Sequence, residues 1–417
     1  MSSFSIALSG LSASSDALNI ISNDLANLNT VGFKDQEANF SDLFYQNLGT
    51  SGAGDPIEEG LGTQIGSVST NFSVGGTVQQ TGVPSNVAIT GNGFFITEDS
   101  SGNLNYTRAG NFGVNTQGEL VTTSGATVLG YPAENGVVNP GGGLGGLYVG
   151  SNLVSPPSAT TTMQMQTNLD ADAGTASTFS TPMTVYDSLG NSHVLSVNFT
   201  QTGTGTWNYQ VTLPAADTGG TGNPTVVASG AMTFDGNGNL TSPTGSIAIS
   251  VPNLADGAST MNISWNLNSA SGTPLITQLA SQSATSAVGQ NGFSNGTLQS
   301  YLVGSDGTIE GTFSNGQTQA LGQLALANFA NEQGLESSGN NSFTPTLASG
   351  AAVVGVPNAG GLGTLTGGAL EMSNVDISTE FTNLIVIQRG FEANARMITT
   401  LDSIENTTTD LQAQPGN

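Results

Sequence analysis

The sequence contains no cysteine and only four basic residues. Without cysteine it offers no disulfide, no thiolate metal ligand and no thiol nucleophile. The basic residues are Lys34, Arg108, Arg389 and Arg396, so none lies between positions 109 and 388. With a net charge of −25 and no positive stripe, the chain cannot neutralise phosphates or anionic lipid headgroups. We therefore expect no nucleic-acid binding and no electrostatic attachment to membranes.

Charge of either sign is scarce. Charged residues make up 8% of the chain, against roughly 25% in an average soluble protein. Glycine is abundant, at 58 of 417 residues, which indicates many turns. The hydrophobic 36% falls in regular patterns, so most of the chain should fold rather than remain disordered. Its length predicts two or three domains.

The N-terminal region lacks the features of a targeting segment. No basic residue precedes Lys34, and the apolar residues form no continuous block. We expect neither a secretory signal peptide nor a membrane span, and hence no direct membrane insertion. A protein of this kind would need another route out of the cytoplasm.

The first end of the chain has helical periodicity. Ile21 lies beside the main apolar stripe, and Gly32 suits a left-handed stop, so we predict a helix that ends near Asn29. Large apolar residues recur at spacings of three, four or seven in this segment: Phe4, Leu8, Leu11, Leu18, Leu25 and, beside the stripe, Leu28.

The other end has the same periodicity from about Asn374 to Thr409. Ser373 and Asp376 predict a shared cap at its start, and the order Glu392 then Arg396 predicts an ion pair one turn apart. The apolar residues at helical spacing are Phe381, Leu384, Ile387, Phe391, Ile398 and Leu401.

The middle of the chain has the alternation of β-strands. Two runs, one starting at His193 and one at Trp207, alternate apolar and polar residues on either side of a Gly/Thr turn, which predicts a hairpin. Further alternating runs begin at Ile247 and Met261, each bounded by turn residues. We predict a β-sandwich or barrel from Gly150 to Ala284.

Predicted strands on both sides of this segment indicate that it is inserted into a second β domain, which flanks it in sequence. These strands lie near 87–89, 94–96, 128–131, 298–303 and 321–329. The predicted fold is mainly β, with β-sandwich or barrel domains nested by insertion and with α-helical termini paired as a coiled-coil-like inner domain. The predicted divisions are a terminal helical domain (1–30 and 374–417), connecting segments (31–70 and 350–373), an inner β domain (71–149 and 285–349) and an inserted outer β domain (150–284).

We assign no catalytic, metal-binding or cofactor-binding residues. His193 is the sole histidine, and no orienting partner for it can be identified, so a structural role is the better interpretation. The run from Asp235 to Asn239 resembles the opening of a calcium loop, but Leu240 occupies the glycine position and Ser246 the position of the closing glutamate. A tight hairpin turn explains this run better. No pair among the 29 acidic residues is singled out for glycoside hydrolysis.

The terminal helices leave two alternatives open. Each is marginal in water by itself, and Gly390 costs one of them roughly a further 1 kcal/mol. The ends could pair with each other and with other copies, which would couple folding to polymerisation. They could equally dock within one chain onto the β body.

Three ordered motifs resemble the family of flagellar rod and hook axial proteins. The first motif is residues 25–34, in which Asn27, Asn29, Thr30, Gly32, Phe33 and Lys34 match. The second is Gly91-Asn92-Gly93-Phe94-Phe95 with residues 106–112 and Leu129-Gly130-Tyr131. The third is Ser373-Asn374-Val375-Asp376 with Glu380-Phe381, residues 388–396 and Ile398-Thr399-Thr400.

The resemblance implies coaxial layers of terminal helices that line a central channel, with β domains outside. It implies that the protein polymerises with itself, contacts rod, hook-cap and hook–filament junction proteins, and leaves the cell uncleaved through the flagellar type III export apparatus. The implied residues of polymerisation are the N-terminal stripe given above and, on the C-terminal helix, Phe381, Leu384, Gln388, Arg389, Phe391, Asn394, Arg396 and Ile398.

Within that family the middle of the chain favours a hook subunit, because Thr181 to Gly190 resembles the opening of the hook-specific inserted domain. Distal rod proteins share the end motifs but are shorter, and a secreted β-rich adhesin or glycan-binding module is an alternative of another class. The sequence departs from simpler hook proteins in a longer loop at 49–60 and a polar tail at 407–417.

Overall fold

The structure is a computed structural model that describes residues 2–51 and 55–413. It divides into two compact units. Unit 1 comprises Met1–Ser151, Ser300–Gly311 and Thr318–Asn417, and unit 2 comprises Asn152–Gln299 and Thr312–Gln317. Unit 2 begins close to the predicted insertion at Gly150 but extends beyond the predicted end at Ala284.

The described residues form two long helices near the chain ends, α1 (Ser2–Ala26) and α2 (Ile377–Ala413). The strands before unit 2 are β1 (Gln36–Asp42), β2 (Tyr45–Thr50), β3 (Pro56–Gly60), β4 (Thr63–Thr70), β5 (Val78–Gln80), β6 (Val87–Thr90), β7 (Phe94–Glu98), β8 (Leu104–Thr107), β9 (Gly113–Val114), β10 (Leu120–Val121), β11 (Thr127–Glu134), β12 (Val137–Val138) and β13 (Gly145–Gly146).

Within unit 2 the chain forms β14 (Val154–Ser155), β15 (Thr162–Asp170), β16 (Thr178–Tyr186), β17 (Ser192–Gly203), β18 (Thr206–Leu213), β19 (Thr225–Phe234), β20 (Leu240–Ser242), β21 (Ile247–Val251), β22 (Met261–Asn266), β23 (Ile276–Leu279) and β24 (Ala284–Gln290). The remaining strands are β25 (Gly296–Val303), β26 (Thr308–Phe313), β27 (Thr318–Leu324), β28 (Leu326–Asn328), β29 (Glu336–Gly339), β30 (Ser342–Thr344), β31 (Val353–Gly355), β32 (Thr364–Gly367) and β33 (Ala369–Glu371).

Helix α1 ends three residues before the predicted Asn29. The amide of Asn27 is shared between the carbonyls of Asn23 and Asp24, and the amide of Thr30 bonds the carbonyl of Asn27, so a turn replaces the last helical residues. Gly32 does have a left-handed backbone, with φ of 67°, but it lies beyond the helix and packs against another segment of unit 1.

Helix α2 begins at Ile377, and the predicted shared cap is wrong. Asp376 alone caps it, because its Oδ1 accepts the amide of Thr379 at 2.8 Å, whereas the hydroxyl of Ser373 accepts the amide of Val375. The predicted pairing of Glu392 with Arg396 is also wrong. Glu392 lies 3.9 Å from Arg389, one residue closer in sequence and on the exposed surface, where such pairs contribute little.

The β part of unit 1 is built around β7 and β11, which pair with each other in antiparallel register. Strand β7 also pairs with β8 and β28, and β11 with β27, β13, β12 and β10. The alternation of the strands gives two apolar clusters, one on each face. One contains Val87, Phe95, Val128, Ile309 and Leu324; the other contains Phe94, Ile96, Tyr106, Phe329 and Phe343. These two clusters form the core of the β part of unit 1.

Unit 2 is a β-sandwich. One sheet has the order β16-β17-β18-β19-β20, and the other has β21-β22-β15-β23 with β24 against β15. Their facing side chains form one core, in which the predicted alternation from His193 and from Trp207 is confirmed: Leu195, Val197, Phe199, Trp207 and Val211 are all buried. Because β24 belongs to this second sheet, the unit continues past the predicted boundary at Ala284.

Candidate functional site

Helices α1 and α2 pack side by side and antiparallel. Gly10 faces Asn394, since a Cβ at Gly10 would lie 2.7 Å from Asn394 Nδ2, and Ser14 faces Gly390 one turn further along. Small residues at such a contact let two helix backbones approach closely, but they remove little apolar surface from water. The helix pair therefore forms within one chain with a thin core.

The buried face of α1 is not the predicted apolar stripe. The residues buried there are mostly small: Ala7, Gly10, Ala13, Ser14, Ala17 and Ile21. Of the predicted stripe, Phe4 is 46% and Leu8 48% exposed. Leu11, Leu18 and Leu25 are half-buried, as is Leu28, which lies in the turn after the helix. The periodicity identified a real apolar face, and the single chain leaves much of it uncovered.

Helix α2 also presents apolar side chains to solvent. Among the predicted residues Phe381 is 52% exposed, and Gln388, Arg389 and Arg396 are exposed as well. Leu384, Phe391, Asn394 and Ile398 are half-buried. Sequence analysis missed five further exposed apolar residues of α2: Ile377, Ile385, Val386, Met397 and Ile404. The unbroken apolar run from Leu384 to Ile387 was a signal for two of them, Ile385 and Val386.

The hairpin of β2 and β3 carries a second group of exposed apolar side chains. Strands β2 and β3 pair with each other, so the predicted long loop at 49–60 is largely a hairpin, with residues 52–54 outside the described part of the chain. Phe44 is 88% exposed, and Tyr45 and Leu48 are each 58% exposed. Contiguous apolar surface of this kind marks an interaction surface.

The helix pair is joined to the β part of unit 1 by a buried charge cluster. Lys34 Nζ lies 2.7 Å from Glu371 Oε1 and donates to the carbonyl of Val74. Arg108 Nη1 lies 3.7 Å from Glu371 Oε2 and donates to the carbonyl of Gly91, while the guanidinium stacks over Phe94. All three charged side chains are at most 2% exposed. Burial lowers the pKa of Lys34, and Glu371 only partly offsets this.

The motif residues hold the turn between α1 and β1 against the start of α2. The amide of Gly32 donates to the carbonyl of Glu371, and Asn374 donates to Asp35 and receives the amide of Asp35 in return. A Cβ at Gly32 would lie 2.7 Å from the backbone of Arg108 and Ala109. Asn27 bonds Asn23 and Thr30 within the turn, and Asn29 is exposed. These residues position the helices; their roles in contacts between copies remain predictions.

Asp24 lies at the base of the helix pair and has an unusual titration. Its side chain is completely buried, its Oδ2 accepts the amide of Gln36 at 2.9 Å, and its Oδ1 has no hydrogen-bond partner. Burial raises the pKa of Asp24 to about 6, and the charge of Glu380 adds to the increase. Burial likewise raises the pKa of Glu380, with Asp35 contributing.

By length and composition, residues 4–26 of α1 would suffice to cross a membrane, although the sequence had suggested no apolar block of that size. The same test is met by helices that pack within proteins, and α1 has contacts of that type. The hydroxyl of Ser9 in α1 accepts a hydrogen bond from the amide of Thr63 at 3.2 Å, and Asp24 is buried against the start of β1. We interpret α1 as a packed helix with one side uncovered.

Four protein-family models match successive parts of the chain. Their descriptions are flagella basal body rod protein (residues 4–34), flagellar hook protein FlgE/F/G D1 domain (88–168), flagellar basal body protein FlaE D2 domain (152–293) and flagellar basal body rod FlgEFG protein C-terminal (366–411). The first of these ranges contains most of α1, and the last contains most of α2.

Full-length similarity decides the family. Flagellar hook protein FlgE of Escherichia coli (strain K12) is 38% identical over 429 residues, which cover 98% of this chain and 100% of that protein. The chain belongs to the flagellar hook protein family. Another hook-family relative, flagellar hook protein FlgE of Treponema pallidum (strain Nichols), is 34% identical over 97% of this chain and 98% of its own length.

A solved hook-family structure confirms the fold. The crystal structure of Helicobacter pylori flagellar hook protein FlgE2 superposes with a TM-score of 0.50 at 14% identity, covering 70% of this chain and 100% of that one. The mainly β fold with terminal helices is therefore that of the hook family. Members of this family are structural proteins and not enzymes, in agreement with the lack of an assigned catalytic residue.

Proposed function

We propose that this chain is a structural subunit of the bacterial flagellar hook, and that it assembles through the uncovered apolar faces of α1 and α2. The supporting observation is that the paired helices leave Phe4, Leu8 and Phe381 about half exposed. Burying a large apolar side chain contributes about 1.5–3 kcal/mol. Copies that cover several such side chains at once would gain enough to polymerise.

The proposed polymer is a curved hollow tube that acts as a universal joint and transmits torque from rod to filament. Each row of subunits must lengthen and shorten once per turn while the tube stays intact. We assign the permanent contacts to the helix pair and the sliding contacts to the β units. Unit 2 contains no lysine or arginine, so few ion pairs would have to break as its neighbours move past it.

The further partners proposed are the rod, hook-cap and hook–filament junction proteins. The proposed route is export through the flagellar type III apparatus without a cleaved signal peptide, which places the mature protein outside the cell. The β2–β3 hairpin is a candidate for contacts between copies, because Phe44 is 88% and Tyr45 58% exposed in the described part of the chain. A chain without cysteine is also suited to passage in an unfolded state.

The hook assignment is favoured over the two alternatives. A distal rod protein would lack unit 2, whereas the full-length relatives carry the hook name across the whole chain, including this unit. A secreted adhesin would remain monomeric and would have no use for apolar faces at both chain ends.

The test of assembly is the double variant Phe4→Ser with Leu8→Ser. Because about half of each side chain is exposed in the single chain, its circular dichroism should change little, whereas tube formation, followed by electron microscopy and sedimentation, should be lost. The matched control is Leu347→Ser, which removes a fully exposed leucine elsewhere in unit 1. Tubes from the double variant at the wild-type concentration would overturn the proposed surface.

The mechanical role of unit 2 can be tested by excision. Ser158 and Phe293 exchange two backbone hydrogen bonds of 3.0 and 2.9 Å, so an Asn-Gly turn can replace residues 159–292 without straining the remaining chain. The shortened subunit should still form tubes, but their curvature should be abnormal. Complete loss of assembly would contradict the assignment of the permanent contacts to the helices.

A further inference from the structure

The single histidine of the chain lies among three carboxylates in unit 2. His193 Nε2 is 3.2 Å from Asp187 Oδ2 and 3.6 Å from Asp256 Oδ2, and His193 Nδ1 is 3.2 Å from Asp217 Oδ2. Sequence analysis found no partner for this histidine, because two of the carboxylates come from distant segments. The structure shows that it has three.

These four residues come from both sheets of the sandwich. Asp187 follows β16, and His193 is the second residue of β17 in the same sheet. Asp217 lies in the short 3₁₀ turn after β18. Asp256 lies in the loop between β21 and β22 of the other sheet. His193 is 6% exposed and Asp187 is completely buried. Asp217 and Asp256 are 27% exposed at their side chains, which gives an ion a path from solvent.

The cluster is short of positive charge. A neutral imidazole has one N–H and one lone pair, so with a carboxylate at each nitrogen one contact is repulsive. Nδ1 is buried and forms no aligned hydrogen bond despite its closeness to Asp217. A second proton would still leave two of the three carboxylates without a counter-charge, and unit 2 has no lysine or arginine to supply one. Buried charges of this kind require a partner.

In Asp187 and Asp256, backbone amides hold one carboxylate oxygen and direct the other toward His193. Asp187 Oδ1 accepts the amides of Leu189 and Asn191, and Asp256 Oδ1 accepts the amide of Ala258. Their Oδ2 atoms turn toward His193 instead, and the side-chain Nδ2 of Asn191 donates to both of them, at 3.4 Å to Asp187 and at 3.0 Å to Asp256. The oxygens and Nε2 all lie within 4.8 Å of one another.

We propose that Asp187, His193 and Asp256 bind a divalent cation of the Zn²⁺ or Mn²⁺ class. A mixed set of one imidazole nitrogen and two carboxylate oxygens suits such ions. Zinc bonds of about 2.0–2.1 Å place tetrahedral ligands about 3.3 Å apart, close to the 3.2 and 3.6 Å that separate Nε2 from the two oxygens. Water would complete the coordination.

Asp217 has a separate role in this proposal. With Nε2 on the ion, the proton of the imidazole resides on Nδ1, which faces Asp217, and a carboxylate in this position orients a metal-bound histidine. The bound ion would join the turn after β16 to the loop of the opposite sheet. The loop segments already meet there, since the amide of Ala255 bonds the carbonyl of Asp217 and that of Ser259 bonds the hydroxyl of Ser188. The ion would therefore stiffen this end of the sandwich.

The experiment uses the full-length chain with ¹⁵N-labelled histidine, titrated with zinc chloride and followed by NMR. Because the chain has one histidine, its imidazole signals need no assignment. We expect one ion per chain, a metal-bound Nε2 and a protonated Nδ1, with magnesium and calcium binding far more weakly. Asp256→Asn should abolish binding, and Asp217→Asn should weaken it about 10- to 100-fold.

Asp235→Asn is the matched control. Asp235 forms the same type of turn, accepting the amides of Asn237 and Asn239, but no imidazole faces it, so this variant should bind zinc like the wild type. Tryptophan fluorescence checks that each variant is folded. The proposal is overturned if the imidazole signals do not change at roughly millimolar zinc, or if Asp256→Asn binds zinc as tightly as the Asp235→Asn control.

Proton competition gives a second readout. Zinc can bind Nε2 only when that nitrogen carries no proton, so zinc affinity should fall as the pH is lowered from about 7.5 to about 5. Binding that does not change with pH would place the ion elsewhere and contradict the proposal.

Discussion

Unit 2 buries both tryptophans of the chain, with Trp207 1% and Trp265 0% exposed, whereas α1 and α2 leave Phe4 and Phe381 46% and 52% exposed. Both regions have regular apolar periodicity in sequence. In the sandwich, two facing sheets supply the cover for each other. In the helix pair, small residues occupy the contact and the large ones point away from it.

The comparison distinguishes two roles that an apolar sequence pattern can have. A pattern that is covered within one chain stabilises that chain, and a pattern left uncovered stabilises an assembly. Substitutions in the two regions should therefore act on different measurable quantities. The predictions below use that separation.

The largest effect is expected from Glu371→Gln, which leaves Lys34 and Arg108 buried without a counter-charge. Breaking a buried ion pair in this way costs about 3–5 kcal/mol. Urea unfolding followed by far-ultraviolet circular dichroism should show an early transition. Tryptophan fluorescence should be unaffected, because both tryptophans lie in unit 2.

Glu336→Gln serves as the control, because Glu336 is an exposed acid of unit 1. Its effect on unfolding should stay within about 0.5 kcal/mol. Equal shifts in the dichroism and fluorescence transitions of Glu371→Gln would mean that the two units unfold together. That result would contradict the expectation that the substitution affects unit 1 alone.

The same substitution placed in the two regions gives the next effect. Leu195→Ala in the sandwich core should cost about 2–5 kcal/mol, seen by tryptophan fluorescence, while tubes still form. Leu8→Ala should cost the single chain only about 1 kcal/mol, because about half of this side chain is exposed there. It should raise the critical concentration for assembly about 3- to 10-fold, because covering half a leucine is worth about 0.7–1.4 kcal/mol.

This pair of variants has a clear contrary outcome. If Leu8→Ala destabilises the single chain as much as Leu195→Ala does, the outer face of α1 is covered within the chain after all. Sedimentation of the assembled fraction at several protein concentrations measures the critical concentration for assembly, and urea unfolding measures the stability of the single chain.

The smallest effect concerns Asp24. Its pKa of about 6 in the folded chain lies above the ordinary 3.8, so the folded state holds the proton more tightly. Stability should therefore fall as the pH rises from about 4 to 6 and stay lower above that range. Asp24→Asn should remove this dependence and stabilise the helix pair at pH 7.5 by an amount on the order of 1–2 kcal/mol.

Thermal unfolding followed by circular dichroism at pH 5 and pH 7.5 measures the difference between wild type and variant. Asp16→Asn, an exposed acid on the same helix, controls for the change in net charge. A variant that destabilises equally at both pH values would show that the carboxylate of Asp24 is needed as an acceptor rather than tolerated as a buried acid.

Local pattern determined much of the fold in advance. The alternation from His193 to Phe199 places four side chains on one face whatever the partner strand, so strand positions and the hairpin could be predicted. The helix ends were less accurate, because the turn at Asn27 depends on side-chain hydrogen bonds that compete with the helix. Ser373 and Asp376 are equivalent cap signals in the sequence, so the sequence could not show that Asp376 alone caps the helix.

Long-range pairings could not be predicted. Lys34 and Glu371 are 337 residues apart, and no local pattern links them. The buried face of α1 was missed because Ala7, Gly10 and Ala13 carry little hydrophobic signal, although they fit a close helix contact. The cluster around His193 was missed for the same reason as the Lys34 pairing, since Asp256 enters from the other sheet.

The burial of Lys34 and Arg108 has a practical consequence. A protease that cuts after lysine or arginine meets four sites in the chain. Two are sealed inside unit 1, and the accessible ones, Arg389 and Arg396, both lie on α2. Cleavage by such a protease is therefore confined to α2. The rate of cleavage after Arg389 and Arg396 measures whether a neighbouring copy covers this helix.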